Sequence, residues 1–333
     1  MNCFKIEIEP TSSFATKFES DTLFGSFCWN LLYKYGENKL EALLKKYDTE
    51  PFIIFSNAFF SDELPKPLLK PVISKDKNIK SIKKTEFLNK AQLIGLLKES
   101  RNNNTALTLT QINNLISNNL REKQGGNVKE TVNDIEEETK TLDCIIQKNY
   151  IDRLGYYSNN KLFAVKETFY AEGVKLNIFV KHSDLITREE IEEIFKLIAA
   201  NGFGKDKSTG KGKFKFSIYE EFEEKEFLNP ADNIDKYWIM SLSNAYIEDI
   251  ENNGLLAYQF IKSYVKFPKM GGAAASSGVP FKNPVVLLTP GSTFKPLVKK
   301  DYYGNAIKNV FASKYNSDHW HSGYIMPFFF IGE

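Results

Sequence analysis

The stretch of the chain with the most distinctive chemistry is residues 201–214, where glycines alternate with lysines. Its glycines and lysines are Gly202, Gly204, Gly210, Gly212, Lys205, Lys207, Lys211 and Lys213. Glycine lets a backbone come close to a polyanion, and lysine neutralises the charge of that polyanion. The composition therefore predicts a loop that binds phosphate groups. Within it, Ser208 and Thr209 are expected to donate hydrogen bonds to phosphate, since no activating base stands beside them in the sequence.

A helix before this loop and a strand after it must position it. Thr187 and Glu190 form a capping-box pattern that starts the helix, and Asn201 with Gly202 ends it. Residues 213–219 alternate between polar and apolar side chains, as a strand does. Nucleotide-binding glycine loops run from strand to helix, so the order found here argues against them. A flexible, solvated hairpin remains the alternative to a phosphate-binding loop.

Candidates for catalysis are few. His182 follows a predicted strand, and His319 and His321 stand on either side of Trp320. Two histidines on one face could form half of a metal site or the acid–base pair of a ribonuclease. Because spacing marks no third ligand, we predict no catalytic residue, no metal and no cofactor.

Residues 202–214 resemble the glycine-rich loop of the RAMP superfamily of CRISPR RNA-binding proteins, which lies between the second helix and the last strand of a ferredoxin-like fold. Further stretches resemble one branch of that superfamily, the subunits that hold the 5′ handle of CRISPR RNA (crRNA) in type III-A effector (Csm) complexes. These stretches are residues 20–29, 56–67, 151–153, 280–284 and 291–294. The resemblance covers both ends of the chain and leaves out residues 73–147.

The resemblance implies a noncatalytic subunit that grips the crRNA 5′ handle between a large palm-domain subunit and a backbone subunit of the effector complex. The RNA-binding residues it implies are Gly202, Phe203, Gly204, Lys205, Asp206, Lys207, Ser208, Thr209, Gly210, Lys211, Gly212 and Arg153, with Lys269, Gly271 and Gly272 in a second glycine-rich stretch. For Arg153, a structural ion pair with Asp152 is the alternative. For the whole protein, the alternatives are an endoribonuclease that cuts precursor crRNA and a protein-interaction scaffold.

Composition limits how the chain could bind nucleic acid. The net charge is only +2, so a basic surface must be a local patch. Arginine occurs only at positions 101, 121, 153 and 188, and lysine contacts phosphate as a point charge without the bidentate geometry that reads bases. We therefore expect recognition of the RNA backbone. The absence of a signal-peptide layout and of a membrane-length apolar run, together with three scattered cysteines, predicts a cytoplasmic protein.

With 333 residues, the chain is long for a single core, so we expect two domains, residues 1–222 and 223–333. In the first domain we predict an N-terminal strand, a helix from Asp21, a strand at 51–60, and a strand pair formed by 162–170 and 174–180. With the capped helix and the strand after the loop, this is the ferredoxin-like order.

Residues 73–150 interrupt that order and are rich in lysine, asparagine and glutamate. We interpret them as a peripheral insertion, which is either a thumb that touches RNA or another subunit, or a partly disordered surface segment. After residue 223 few apolar residues have helical spacing, so a second ferredoxin-like domain there is what the resemblance alone implies. The predicted fold class is α+β, with two ferredoxin-like (RRM-like) domains and a large insertion in the first.

Overall fold

The computed structural model describes residues 1–70, 79–125, 139–150, 161–229, 233–271, 281–308 and 320–332. Its helices are α1 (Ser20–Tyr35), α2 (Glu37–Leu44), α3 (Ile79–Lys84), α4 (Lys90–Asn103), α5 (Leu109–Gly125), α6 (Arg188–Asn201) and α7 (Lys225–Leu228). Among the described residues, no helix has the length and apolar character needed to cross a membrane.

The strands form several antiparallel sheets, and after α7 the described elements are all strands. They are β1 (Asn2–Pro10), β2 (Ile53–Phe55), β3 (Phe59–Phe60), β4 (Glu63–Pro65), β5 (Phe87–Asn89), β6 (Thr141–Tyr150), β7 (Lys161–Tyr170), β8 (Leu176–His182), β9 (Phe214–Tyr219), β10 (Tyr237–Ser241), β11 (Leu255–Phe260), β12 (Ser263–Lys266), β13 (Val285–Leu288), β14 (Thr293–Pro296), β15 (Tyr303–Gly304), β16 (Ile307–Lys308), β17 (Trp320–His321), β18 (Tyr324–Ile325) and β19 (Pro327–Ile331). The predicted α+β class is confirmed.

The first sheet has the strand order β2-β8-β1-β9, with neighbouring strands antiparallel and β3 also paired with β8. Helix α1 leads from β1 towards β2, and α6 connects β8 to β9. The predicted N-terminal strand is β1, along which side chains alternate, with Phe4, Ile6 and Ile8 buried on one face. Because α6 ends beside the chain that leaves β1, the loop of residues 201–214 folds against residues 11–18.

The second sheet has the order β11-β14-β10-β19 and carries apolar side chains on both faces. Trp238, Met240 and Phe328 join the main core, whereas Ile239 and Phe329 belong to a separate cluster on the other face. In the described part of residues 223–333 the only helix is the four-residue α7. The second ferredoxin-like domain is therefore not confirmed.

Helix α4, from the segment predicted to be peripheral, packs on the second sheet. It contacts β19, and the Arg101 guanidinium donates a hydrogen bond of 3.1 Å to the Phe329 carbonyl oxygen. Apolar side chains of this segment lie in the main core: Leu88, Leu93, Ile94, Leu97, Leu107, Ile112 and Ile116. The interpretation of residues 73–150 as peripheral is therefore wrong for this part. An apolar stripe at helical spacing is enough to bury one face of a helix whose average composition is polar.

The predicted pairing of residues 162–170 with 174–180 is also wrong. Strand β7 pairs with β6 along its whole length, from Thr141 opposite Tyr170 to Tyr150 opposite Lys161. We call this two-stranded hairpin the arm. Strand β8 instead lies between β1 and β2, since every one of its residues is buried, as a central strand requires. The division at residue 222 stays a prediction, and the main core contains side chains from both sides of it.

Candidate nucleic-acid interface

Both ends of α6 are fixed as the sequence predicts, and this sets where the loop begins. The Glu190 N–H donates to Thr187 Oγ1 at 3.2 Å, and the Thr187 N–H donates to the Glu190 carboxylate at 3.0 Å, which completes the capping box. At the other end, Gly202 has φ +87° and its N–H donates to the Ile198 carbonyl oxygen at 2.8 Å. The loop therefore leaves the C-terminal end of a well-capped helix.

The loop is bound to the rest of the protein along its backbone. The Gly212 N–H donates to the Ser13 carbonyl oxygen at 2.9 Å, and the Lys205 N–H donates to Thr16 Oγ1 at 2.9 Å. Phe203 is fully buried and stacks on Phe18, with 4.3 Å between ring centroids. These contacts describe an anchored loop and not the solvated hairpin that was the alternative.

Three of the four glycines are needed for packing within the protein. A Cβ at Gly202 would lie 2.5 Å from the Lys211 carbonyl oxygen, one at Gly204 would lie 2.5 Å from the Thr16 Cβ, and one at Gly212 would lie 2.1 Å from the Phe203 carbonyl oxygen. Real Cβ atoms do not approach so closely. These glycines therefore permit the fold of the loop, whatever it binds.

The exposed part of the loop is its tip, residues 205–210. A short 3₁₀ turn, Lys207–Thr209, lies between two left-handed residues, Asp206 with φ +61° and Gly210 with φ +85°. A Cβ at Gly210 would meet nothing within 4 Å, so this glycine faces open space. Ser208 and Thr209 are exposed beside it. Here, and not at the three packed glycines, a large ligand can reach the backbone.

The four lysines of the loop lie in different surroundings. Lys205 and Lys207 are exposed, and their ammonium groups have no ion pair with any described residue. Lys213 instead donates to the Ala200 carbonyl oxygen, which offsets the negative C-terminal end of α6. Lys211 is bound to a buried carboxylate. Phosphate contacts by these residues stay predictions, and the geometry favours Lys205 and Lys207.

That carboxylate belongs to Glu167 in the arm, and its side chain is 0% exposed. Lys211 Nζ lies 2.7 Å from Glu167 Oε2, Ser13 Oγ donates to the same oxygen at 2.8 Å, and Lys148 Nζ lies 3.4 Å from Oε1. Lys148 also contacts Asp206 at 2.5 Å. The hydrogen bond from Lys211 is the main cause that lowers the pKa of Glu167 below its ordinary value.

Sequence reasoning missed Glu167. In the sequence it is one polar residue in an alternating strand, and nothing near it marks it as buried. Its role depends on the pairing of β7 with β6, which faces Glu167 and Lys148 towards the loop. Because the sequence predicted the wrong partner for this strand, Glu167 could not be placed at the loop.

The second glycine-rich stretch has no described contact with the loop. Lys269 Nζ lies over the Phe281 ring, 4.7 Å from its centroid. A Cβ at Gly271 would lie 2.1 Å from Trp29 Nε1, so packing on α1 accounts for this glycine. Gly272 and Arg153 lie outside the described residues. RNA contacts by these four residues stay predictions.

Neither described histidine is placed as an accessible base. His182 is buried, and its Nδ1 lies 3.0 Å from the Ile186 carbonyl oxygen. His321 is 3% exposed, with Nε2 3.3 Å from Asp21 Oδ2. Burial lowers the pKa of His321 to about 4, although Asp21 opposes the shift, so the ring is neutral near pH 7. His319 lies outside the described residues.

The buried Asp21 is the centre of a polar network between α1 and the second half of the chain. Lys266 Nζ lies 2.7 Å from its Oδ2, and the Asn244 amide donates to its Oδ1 at 3.0 Å. Lys266 is the largest charge that lowers the pKa of Asp21 against the opposing effect of burial. Lys266 and Asn244 thus have structural partners in this network, whereas the buried His321 Nε2 makes no hydrogen bond with the described residues.

Fold and site together define an α+β protein with an anchored lysine- and glycine-rich loop at the C-terminal end of α6. No family model matches the chain, and no curated protein matches its sequence. Among solved structures, the chain is similar to one in the Csm3–Csm4 subcomplex of the type III-A CRISPR-Cas interference complex, with 18% identity, 99% of each chain covered and a TM-score of 0.59.

It is also similar to a chain in the Csm1–Csm4 cassette in complex with cA4, with 14% identity, 99% of each chain covered and a TM-score of 0.57. The same cassette with pppApA gives 14% identity and a TM-score of 0.57. Csm4 is the component that these complexes share. The resemblance found in the sequence is therefore confirmed at the level of the fold.

Proposed function

We propose that this protein is a noncatalytic RNA-binding subunit of a type III CRISPR effector complex, and that it grips the 5′ handle of crRNA through residues 202–212. The observation that carries the proposal is the exposed tip of the loop. There, Lys205 and Lys207 lack an ion pair with any described residue, beside the exposed Ser208 and the open space at Gly210. The Thr209 hydroxyl instead donates to the Asp206 carbonyl oxygen at 2.8 Å and helps to hold the turn. The likeness of the fold to Csm4-containing complexes supports it.

The chemistry of this tip suits phosphate better than bases. Lysine ammonium groups attract phosphate without fixing its orientation, and hydroxyl groups donate single hydrogen bonds. A loop held by its own backbone contacts keeps these groups in place before RNA arrives, so little ordering entropy is lost on binding. We infer that the loop binds the sugar–phosphate backbone of the handle and that any reading of its sequence occurs elsewhere.

The partners follow from the same comparison. We propose a large palm-domain subunit and a backbone RAMP subunit, since the similar structures are complexes with Csm1 and with Csm3. We further propose a first domain of the ferredoxin-like RAMP type, supported by the strand order of the first sheet, and a cytoplasmic location. The noncatalytic assignment is supported by the burial of His182 and His321.

Sequencing the RNA that copurifies with the protein from its native host tests this function. A uniform 5′ end derived from the CRISPR repeat is expected. Random RNA fragments would instead indicate a general RNA binder, and no RNA would indicate a protein scaffold. Incubation of the purified protein with repeat RNA is the companion test, and site-specific cleavage that is lost in His321→Ala would favour the endoribonuclease.

A further inference from the structure

The contact between the arm and the loop is made by ionised groups that neutralise one another. Two ammonium groups, those of Lys148 and Lys211, face two carboxylates, those of Glu167 and Asp206. The cluster therefore has no net charge. Lys211, the loop lysine in this cluster, is therefore already balanced by an acid of the same protein.

The lysines of this cluster are still reachable from solvent. The side chains of Lys148 and Lys211 are each 26% exposed, whereas that of Glu167 is 0% exposed. Lys211 uses two of its three N–H donors on Glu167 and on Ser13 Oγ, the latter at 2.9 Å. No described polar group accepts from the third donor, and the Phe169 ring lies with its centroid 5.9 Å from Nζ. A phosphate can therefore approach Lys211 from the solvent side while Glu167 holds the other side.

We propose that Glu167 and Asp206 are internal counter-ions that compete with RNA phosphate for Lys211 and Lys148. The inference rests on the proposed function, because it requires RNA to bind at this loop. Attraction between Lys211 and a phosphate weakens its attraction to Glu167, which is one of the two close ionic contacts that hold the arm to the loop; the other joins Lys148 to Asp206. By thermodynamic reciprocity, RNA at the loop loosens the arm to the same extent that the docked arm weakens RNA binding.

The proposal also gives Asp206 a role in a loop that binds an anion. A carboxylate repels phosphate, so its presence among the lysines is not explained by RNA contact. Its backbone has φ +61°, a left-handed conformation that Asp and Asn tolerate better than most residues. The side chain is then directed to Lys148 of the arm, at 2.5 Å. Asp206 thus balances the second lysine as Glu167 balances the first.

The test is the salt dependence of affinity for a single-stranded repeat RNA in Glu167→Gln and Asp206→Asn. Glutamine keeps the shape of Glu167 and can still accept from Ser13, and asparagine keeps the left-handed backbone at position 206. Each change releases one ammonium group for phosphate. The slope of log affinity against log salt is expected to steepen by about 0.7 per released lysine, with tighter binding at 50 mM salt than in the wild type.

The matched control is Glu172→Gln, which removes one negative charge from an exposed turn with no ion pair among the described residues. It is expected to leave the slope unchanged. Hydrogen exchange of β6 and β7 provides a second readout. Without RNA, arm amides should exchange faster in Glu167→Gln than in the control, and RNA should speed their exchange in the wild type.

The outcomes separate the two proposals. If the wild type binds RNA and the slopes of Glu167→Gln and Asp206→Asn equal that of Glu172→Gln, the counter-ion inference is overturned and the proposed function stands. If the wild type binds no RNA at any salt concentration, both fail. Should Glu167→Gln not fold, Asp206→Asn decides alone, because its carboxylate is 23% exposed and its backbone is preserved.

Discussion

At the scale of single residues, the lysines of the loop differ in whether their ammonium groups already have a partner within the protein. Lys205 and Lys207 point into solvent, whereas Lys213 is bound to the end of α6 and Lys211 to Glu167. The sequence predicted the loop, its helix cap and its strand, because those follow from local spacing. It could not distinguish the lysines, because their partners come from segments distant in the chain.

The glycines of the loop divide in the same way, and this leads to a prediction about stability. Gly204→Ala should lower the free energy of unfolding by about 1 to 3 kcal/mol, because φ is +83° and the new Cβ would lie against Thr16. Gly210→Asn should change it by less than about 0.5 kcal/mol, since asparagine tolerates the left-handed region and the position is open.

Urea unfolding of the two variants measures this difference. Spacing in the sequence gives Gly204 and Gly210 the same role, which is to let a ligand approach the backbone. Equal destabilisation by the two changes would mean that the tip of the loop is packed in solution and that Gly210 does not face open space.

At the scale of elements, the helices between residues 79 and 125 carry more of the structure than composition indicates. Leu93 in α4 is 0% exposed and belongs to the main core, together with side chains of both sheets. The positions of α4 and α5 were visible as helical spacing in the sequence. Which sheet they would cover was not, because packing over long sequence separations leaves no local pattern.

Leu93→Ala is expected to destabilise the whole protein by about 2 to 5 kcal/mol, the range for removing a buried leucine. The control is Leu162→Ala on the arm, where the side chain is 71% exposed and the change should cost less than about 0.5 kcal/mol. Denaturant midpoints of both variants provide the comparison. If Leu93→Ala unfolds at the same denaturant midpoint as the wild type, residues 73–150 are a peripheral insertion after all.

The arm is the element that sequence reasoning misassigned. The predicted pairing of residues 162–170 with 174–180 depends on the short connection between them, yet this connection joins strands of two different sheets. Strand β8 is apolar on both faces and belongs in the centre of a sheet, whereas β7 alternates. This difference in hydrophobic pattern indicates that the two strands belong to different sheets.

At the scale of the whole molecule, the polar network around Asp21 joins α1 to the second half of the chain. His321 lies in it, and burial lowers its pKa from 6.5 to about 4. Between these values the unfolded chain binds a proton that the folded protein does not. The free energy of unfolding therefore falls as the pH is lowered from about 6.5 towards 4.

For wild type, this effect should reach about 1 to 2 kcal/mol between pH 7 and pH 5, from 1.36 kcal/mol per unit of pKa difference. In His321→Gln the part of the pH dependence that belongs to this group should disappear, although the variant itself is less stable. Urea unfolding at the two pH values measures both. The same loss of stability in wild type and His321→Gln would show that His321 titrates normally in the folded protein.

The central claim is that the tip of the loop binds the RNA backbone, and the salt dependence of RNA affinity in Lys205→Ala/Lys207→Ala tests it most directly. The matched control is Lys45→Ala/Lys46→Ala, which removes the same charge from exposed residues just after α2. We predict that the slope of log affinity against log salt becomes shallower by about 1.4 in the loop variant, or about 0.7 per lost phosphate contact, and stays at the wild-type value in the control. Equal slopes in the two variants would contradict the claim.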